Sequence, residues 1–345
     1  MARGKRALLI ALLVAASLLA GIGATARELW LEAREVEIDL HQGAILALAA
    51  LGSDAVVCAR GDGTVEAIQV SGGHVRWRVR FNGGGGVFKM VEREGFVAMG
   101  CLPYSGGSMT PSVGRIAVLR DGQVVAEVAP DRHWLPMWVD LLPSQRPGGA
   151  RLAWIETDDG CRVHARELTG EPDERIVQVA ESLESLAVSG NRLFALGSEG
   201  LLSFDIWTLK REKVADTHSA GGLRFAAGPR GVAWGRGVSD HGIDLWRPGT
   251  APVEILEDYC WCVAFDDSGE LLAAIHGKRD PREDSWFSIG LYDLESERWW
   301  TREIPGARGV AFVGDRLVVG DTSGKLTVLA TPRARFQRSW KPLVR

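Results

Sequence analysis

Along the chain, short apolar segments alternate with polar turns, and one phrase recurs. It consists of an apolar strand, a turn that often contains Gly, a second apolar strand and another turn. It reads "LALAALGSDAVVCARG" from Leu46, "SLAVSGNRLFALG" from Ser185 and "LRFAAGPRGVAWG" from Leu223. It returns as "CVAFDDSGELLAAIHG" from Cys262 and "GVAFVGDRLVVG" from Gly309. Weaker copies are "VFKMVEREGFVAMG" from Val87 and "MWVDLLPSQRPGGARLAW" from Met137. Segments of this length bounded by turn residues are strands.

Aligned on one position, the copies give Ala49, Met90, Val139, Ala187, Ala226, Ala264 and Ala311, spaced by 38 to 49 residues. Third and fourth strands also repeat, as in "GDGTVEAIQVSGGHVRW" (61–77) and "SIGLYDLESERWW" (288–300). A period of about 40–50 residues with four strands per unit is the signature of a propeller blade. A blade cannot bury both faces alone, whereas a closed ring buries them all. The predicted fold is therefore all-β, a seven-bladed β-propeller over residues 27–345. Two segments compete to close the ring. "AREVEIDL" (33–40) alternates and fits the outer strand of the last blade; "ARFQRSW" (334–340) fits the same place.

The blade 1 segment resembles the repeat of quinoprotein (PQQ-like) propellers, with Gly63, Ala67, Gly73 and Trp77 on matching positions. Blade 6, with "VAFDDSGELLA" and "LYDLESERWW", is similar to a WD-repeat blade. The shared residues are a turn, a strand and a closing tryptophan, so the resemblance implies fold rather than activity. Quinoprotein dehydrogenases are longer and many carry a vicinal cysteine pair that this chain lacks. No quinone or other cofactor is expected.

The first residues change the picture of where the propeller resides. Arg3, Lys5 and Arg6 precede an apolar run from Ala7 to about Gly23, and Ala24-Thr25-Ala26 offers a small-x-small cleavage site. This is the pattern of a secretory signal peptide over residues 1–26; an uncleaved membrane anchor is the alternative. Either places residues from Arg27 onward outside the cytoplasm. Arginine outnumbers lysine and asparagine is confined to Asn82 and Asn191, which fits a GC-rich bacterial genome. The expected location is the periplasm or cell surface, with membrane contact only through the leader if it is retained. Cleavage removes three cations and no anion, taking the formal charge from −4 to −7. An acidic body argues against nucleic-acid binding.

Loops on one propeller face are long. They join the second strand to the third within a blade, or the fourth strand to the next blade. "CLPYSGGSMTPSVG" (101–114), "APDRHWLPMW" (129–138) and "GKRDPREDSWF" (277–287) are the longest. Long loops on a rigid scaffold carry binding, and aromatics with arginine are what binding patches prefer. Tyr104, His133, Trp134, Arg279, Asp280 and Trp286 are the candidate partner-binding residues on this face.

Other candidate chemistry dissolves on inspection. A structural zinc site needs four ligands at short spacing, and the chain offers only Cys260-Trp261-Cys262. "TDDGCRVH" and "FDDSGE" pair acids without calcium-loop spacing and read as hairpin turns. "RGDG" (60–63) fills an expected turn. No Gly-x-Ser-x-Gly elbow is present, so no catalytic residue and no metal ligand is assigned. The five cysteines, at 58, 101, 161, 260 and 262, are expected to be free and buried. Strand alternation sets Cys260, Cys262 and Ala264 on one blade face and Trp261, Val263 and Phe265 on the other.

The expected function is a monomeric, exported, non-catalytic scaffold that binds another envelope protein. A propeller lyase or hydrolase with a central-channel site, and a carbohydrate-binding propeller, are the alternatives.

Overall fold

A computed structural model describes residues 36–40, 43–81, 86–102, 115–128, 138–158, 160–171, 173–198, 200–217, 224–236, 241–277, 287–331 and 341–342. The expected leader (1–26) lies outside them. The described residues contain no helix, and thus none long and apolar enough to cross a membrane.

Seven antiparallel sheets form in chain order, each of four strands, one of them extended by a short fifth. The first strands of successive sheets touch one another around a ring, which makes the sheets the blades of a seven-bladed β-propeller. The strands of blade 1 are Ile45–Leu51, Ala55–Arg60, Thr64–Gln69 and Val75–Arg80. Its second strand, "AVVCAR", is buried at every position, because both blade faces are covered. That is why its residues from Ala55 to Ala59 are all apolar rather than alternating. Its outermost strand, "VRWRVR", alternates, because the rim meets water.

The core is not one mass but seven seams, each filling the gap between two neighbouring blades. Blade 1 turns Ala47, Ala49, Val57 and Ala67 to Val87, Met90 and Met99 of blade 2. Its other face turns Ile45, Leu48, Val56 and Ile68 to Ala311, Val318 and Val328 of blade 7. Each fully buried Val or Ile in such a seam contributes about 1.5–3 kcal/mol. Alanine and glycine keep the inner strands close. At Gly320, an added Cβ would stand 2.6 Å from Cγ2 of Ile45 in the next blade.

The N-terminal strand Val36–Asp39 closes the ring. It pairs antiparallel with Lys325–Ala330, from Val36 opposite Val328 to Asp39 opposite Lys325, and becomes the fourth strand of blade 7. Ile38 is buried in the seam between blades 7 and 1. It rests on the turn at Gly73, where φ is +70° and an added Cβ would meet Ile38 at 3.2 Å. Glycine is thus required twice at that turn. Lys341–Pro342 instead adds a short fifth strand to blade 6, opposite Trp300 and Thr301. The chain ends therefore overlap in the ring, with the N-terminal one taking the closing place.

The residues that carried the family resemblance are packing residues. Trp77 packs against the turn at Gly122 of blade 2, where an added Cβ would meet its Cβ at 3.0 Å and its ring at 3.1–3.2 Å. In blade 6, Trp300 leans toward blade 7, while Trp299 faces back and its Nε1–H donates to the Ile255 carbonyl of blade 5 at 2.8 Å. "FDDSGE" is a hairpin turn in which Asp266 Oδ1 accepts the N–H groups of Glu270 and Leu271 at 2.8 and 2.9 Å.

Two details of register differ from the sequence reading. Met90 and Val139 lie on the opposite blade face from the alanines aligned with them. Met90 packs toward blade 1 and Val139 toward blade 2, whereas Ala49 and Ala187 pack toward the blade that follows. Cys260 and Cys262 also fall on opposite faces. The pairing register skips a residue between them, a β-bulge that inverts the alternation. Cys260 and Val263 pack toward blade 5, and Trp261, Cys262 and Ala264 toward blade 7.

All five cysteines are free; Cys58, Cys161 and Cys260 are buried and the other two partly so. Burial pushes the Cys58 and Cys260 thiols up to about 12, with the Glu66 carboxylate adding to the rise at Cys58. Only the thiolate reacts. A thiol titration of native protein at pH 8 is expected to leave these two unmodified and to reach all five after unfolding. The linkage has a definite sign. The unfolded chain releases these protons near pH 9 and the folded chain near pH 12, so stability falls as pH rises through that window. Rapid native labelling of Cys260 would contradict this packing.

Candidate functional site at the channel mouth

The six residues proposed from sequence, Tyr104, His133, Trp134, Arg279, Asp280 and Trp286, all lie outside the described residues. The roots of their loops are described. Gly277 ends the second strand of blade 6 and Ser288 begins its third, with Phe287 between loop and strand. These roots lie at the end of the channel where the first strands begin.

At that end, three blades bring arginines and aromatic rings together. The device is the β-bulge. In blades 6 and 7 the register skips Trp261 and Arg308, which occupy equivalent places in neighbouring first strands. A bulge re-aims the extra side chain, and these two meet. The Arg308 guanidinium lies 4.3 Å from the Trp261 ring centroid and 5.3 Å from that of Phe287. Arg224, just before the first strand of blade 5, lies 4.3 Å from the Tyr259 ring and 5.2 Å from Trp261. It also donates to the Tyr259 hydroxyl. His241 meets Tyr259 edge-on at 5.7 Å. Arg224 is 7% exposed, whereas Tyr259, Trp261, Phe287 and Arg308 are partly exposed. Burial depresses the Arg308 pKa below its usual value.

Deeper in the ring, side chains satisfy the free edges of inner strands. A first strand has no neighbour on its channel side, so its outward N–H and C=O groups need other partners. Lys89 of blade 2 donates to the Leu186 carbonyl of blade 4. Asp140 of blade 3 accepts the Val188 N–H at 3.0 Å and its own neighbour Leu141 N–H at 2.6 Å. Arg93 of blade 2 donates to the Leu141 carbonyl at 2.8 Å. Burial raises the Asp140 carboxyl against the opposing pull of Lys89. These polar groups tie blades 2, 3 and 4 together around the channel.

Other charged clusters are built into single blades. In blade 1, Glu66 is fully buried and receives Arg60 and Arg78 on its two carboxylate oxygens. In blade 5, Arg236 meets Asp244 at 2.7 Å and Glu254 at 2.6 Å. In blade 3, His164 lies between Glu156 and Glu174, each at 2.9 Å, and stacks on Trp154. In blade 6, His276 Nδ1 meets Asp258 at 2.9 Å, and its buried Nε2 finds no partner among the described residues. That nitrogen faces Gly290 and the Trp299 ring. Among the described residues, no three His, Cys, Asp or Glu side chains stand close enough to share a metal ion.

Two clefts open on the opposite face among the described residues. One of ≈ 490 Å³ lies between blades 4 and 5, beside Phe194, Trp246, Arg192 and Glu212. One of ≈ 180 Å³ lies between blades 3 and 4, beside Arg146, Arg151, Arg175 and Trp207.

Sequence reasoning assigned no role to Arg224, Tyr259, Phe287, Arg308, Lys89 or Asp140, and took Trp261 for packing alone. One signal was present: Phe287 closes the 277–287 loop already singled out. The chain matches no family model and no curated protein.

Proposed function

We propose that this chain is an exported β-propeller that serves as a binding or assembly scaffold in a bacterial cell envelope, meeting another protein through the face at which its first strands begin. One observation carries the reading. Arg224, Tyr259, Trp261, Phe287 and Arg308 converge, mostly part-exposed, at the root of the 277–287 loop. Arginine and large aromatics on a rigid base are the composition of interface hot spots. Export rests on the N-terminal pattern of Arg3, Lys5 and Arg6 before an apolar run.

The alternatives have weaker support. An enzyme using the channel would employ Lys89 and Asp140, but both are engaged with blade 4 main chain. A sugar platform needs an open aromatic face, and the Trp261 ring carries two guanidiniums. The test is affinity capture from the envelope of the producing cell with the whole chain. A matched form has residues 278–286 replaced by glycine and serine. Loss of a specific partner with the loop replaced, at unchanged melting temperature, is the expected result. Retention of every partner would place the interface elsewhere.

A further inference from the structure

The cations of this protein are, in several blades, matched to carboxylates: Arg60 and Arg78 to Glu66, Arg236 to Asp244 and Glu254, Arg211 to Glu181. The channel mouth departs from that rule. Among the described residues, Arg224 and Arg308 meet aromatic rings and a tyrosine hydroxyl but no carboxylate. The nearby acid Asp258 is taken by His276. Two like charges on one indole repel, and partial burial removes the water that would screen them.

We propose that the channel mouth is a receptor for the carboxylates of an acidic protein segment, which Arg224 and Arg308 bind while Trp261 and Phe287 cover its aliphatic stems. This rests on the scaffold reading for the class of partner. The guanidinium fork matches a carboxylate in two-point geometry, and a ring behind it holds the fork in place. The chain as a whole is acidic, at −4. A long polyanion would therefore be repelled outside this one basic spot, whereas a short acidic segment fits it.

The probe is a labelled hexaglutamate peptide, with hexaglutamine as its neutral control, titrated onto the whole chain by fluorescence anisotropy. Hexaglutamate is expected to bind, to weaken with added salt and to outcompete inorganic phosphate; hexaglutamine is expected not to bind. Arg308→Gln should weaken binding about tenfold, the loss of one charge-assisted contact. Arg308→Lys, which keeps the charge but not the stacked fork, should weaken it about threefold. Arg175→Gln, at the cleft on the opposite face, should leave it unchanged. No binding at millimolar peptide, tighter binding of phosphate, or equal affinity in Arg308→Gln would each overturn the proposal. The envelope capture separates this from the broader reading. A partner still captured, and not displaced by hexaglutamate, overturns the carboxylate receptor and leaves the scaffold standing. Peptide binding without any captured partner supports the receptor and overturns the scaffold.

Discussion

Glu66→Leu is expected to lower stability by about 3–5 kcal/mol, because it removes the buried carboxylate that Arg60 and Arg78 share. Glu66 is fully buried on the third strand of blade 1, and Arg60, on the second, is 1% exposed. Arg60 gives both Nε and Nη2 to one carboxylate oxygen, and Arg78 covers the other from the outer strand. Removing the carboxylate takes away the anion that two nitrogens of the buried Arg60 guanidinium share, on the blade face that also carries Val56, Cys58 and Ile68. Arg78 is 56% exposed, so water replaces its lost partner at small cost. Arg78→Leu should therefore cost under about 1 kcal/mol. The double change Arg60→Met with Glu66→Leu should recover most of the loss, since an apolar pair needs no counter-charge. Denaturant midpoints of the four proteins decide it. A loss at Glu66→Leu no larger than that at Arg78→Leu would show that Arg60 reaches water.

The blades were legible because ring closure imposes the same demand seven times. Each second strand is covered on both faces, so it is mainly apolar, and each hairpin needs a polar turn. Ala49, Ala187, Ala264 and Ala311 mark one structural place, where a small side chain lets neighbouring first strands come close. Blades 2 and 3 slipped by one residue in the alignment. There, Val91 stands on the face where the other blades carry alanine, and the small residue that would fix the register is absent. A bulge is likewise invisible to alternation. "YCWCVAF" shows a period of two on paper, yet the skipped residue sends Cys260 and Cys262 to different seams.

The mouth was harder to read, for a related reason. Arg308 and Trp261 are 47 residues apart and meet only because both are bulged at the same place in adjacent blades. Arg224 joins them from a third blade. No local spacing encodes such a convergence. The loop ending at Phe287 stands out in the sequence by its length, and Phe287 stands in the cluster, while the six residues chosen from the loops lie outside the described residues. Lys89 and Asp140 gave a fainter signal, a charged residue set among apolar neighbours in each of two first strands. Their partners are main-chain groups of blade 4, which a sequence cannot name in advance.

Ile38→Asp is expected to cost about 3–5 kcal/mol and to open blade 7 before the rest of the ring. Ile38 is 8% exposed and packs against Ile45, Leu326 and Val328, so the change removes an apolar contact and buries a carboxylate among hydrophobic groups. The strand it belongs to is short, pairing four residues with Lys325–Val328, and its grip depends on this side chain and on Gly73 beneath it. Losing it exposes the edge of the third strand and leaves the seam between blades 7 and 1 open on its outer side. Unfolding should then lose its single sharp transition, with proteolytic cuts appearing first between Lys325 and Ala330. Glu37→Gln on the same strand removes only an exposed contact with Lys325 and should cost under about 1 kcal/mol. Replacing Lys341 and Pro342 by glycine should also change little, because that strand pairs just two residues on the rim of blade 6 and closes nothing. If the C-terminal replacement proved as damaging as Ile38→Asp, closure would belong to the other chain end. The distinction is physical: the N-terminal strand completes a seam between two blades, whereas the C-terminal one extends a blade whose seams are already filled.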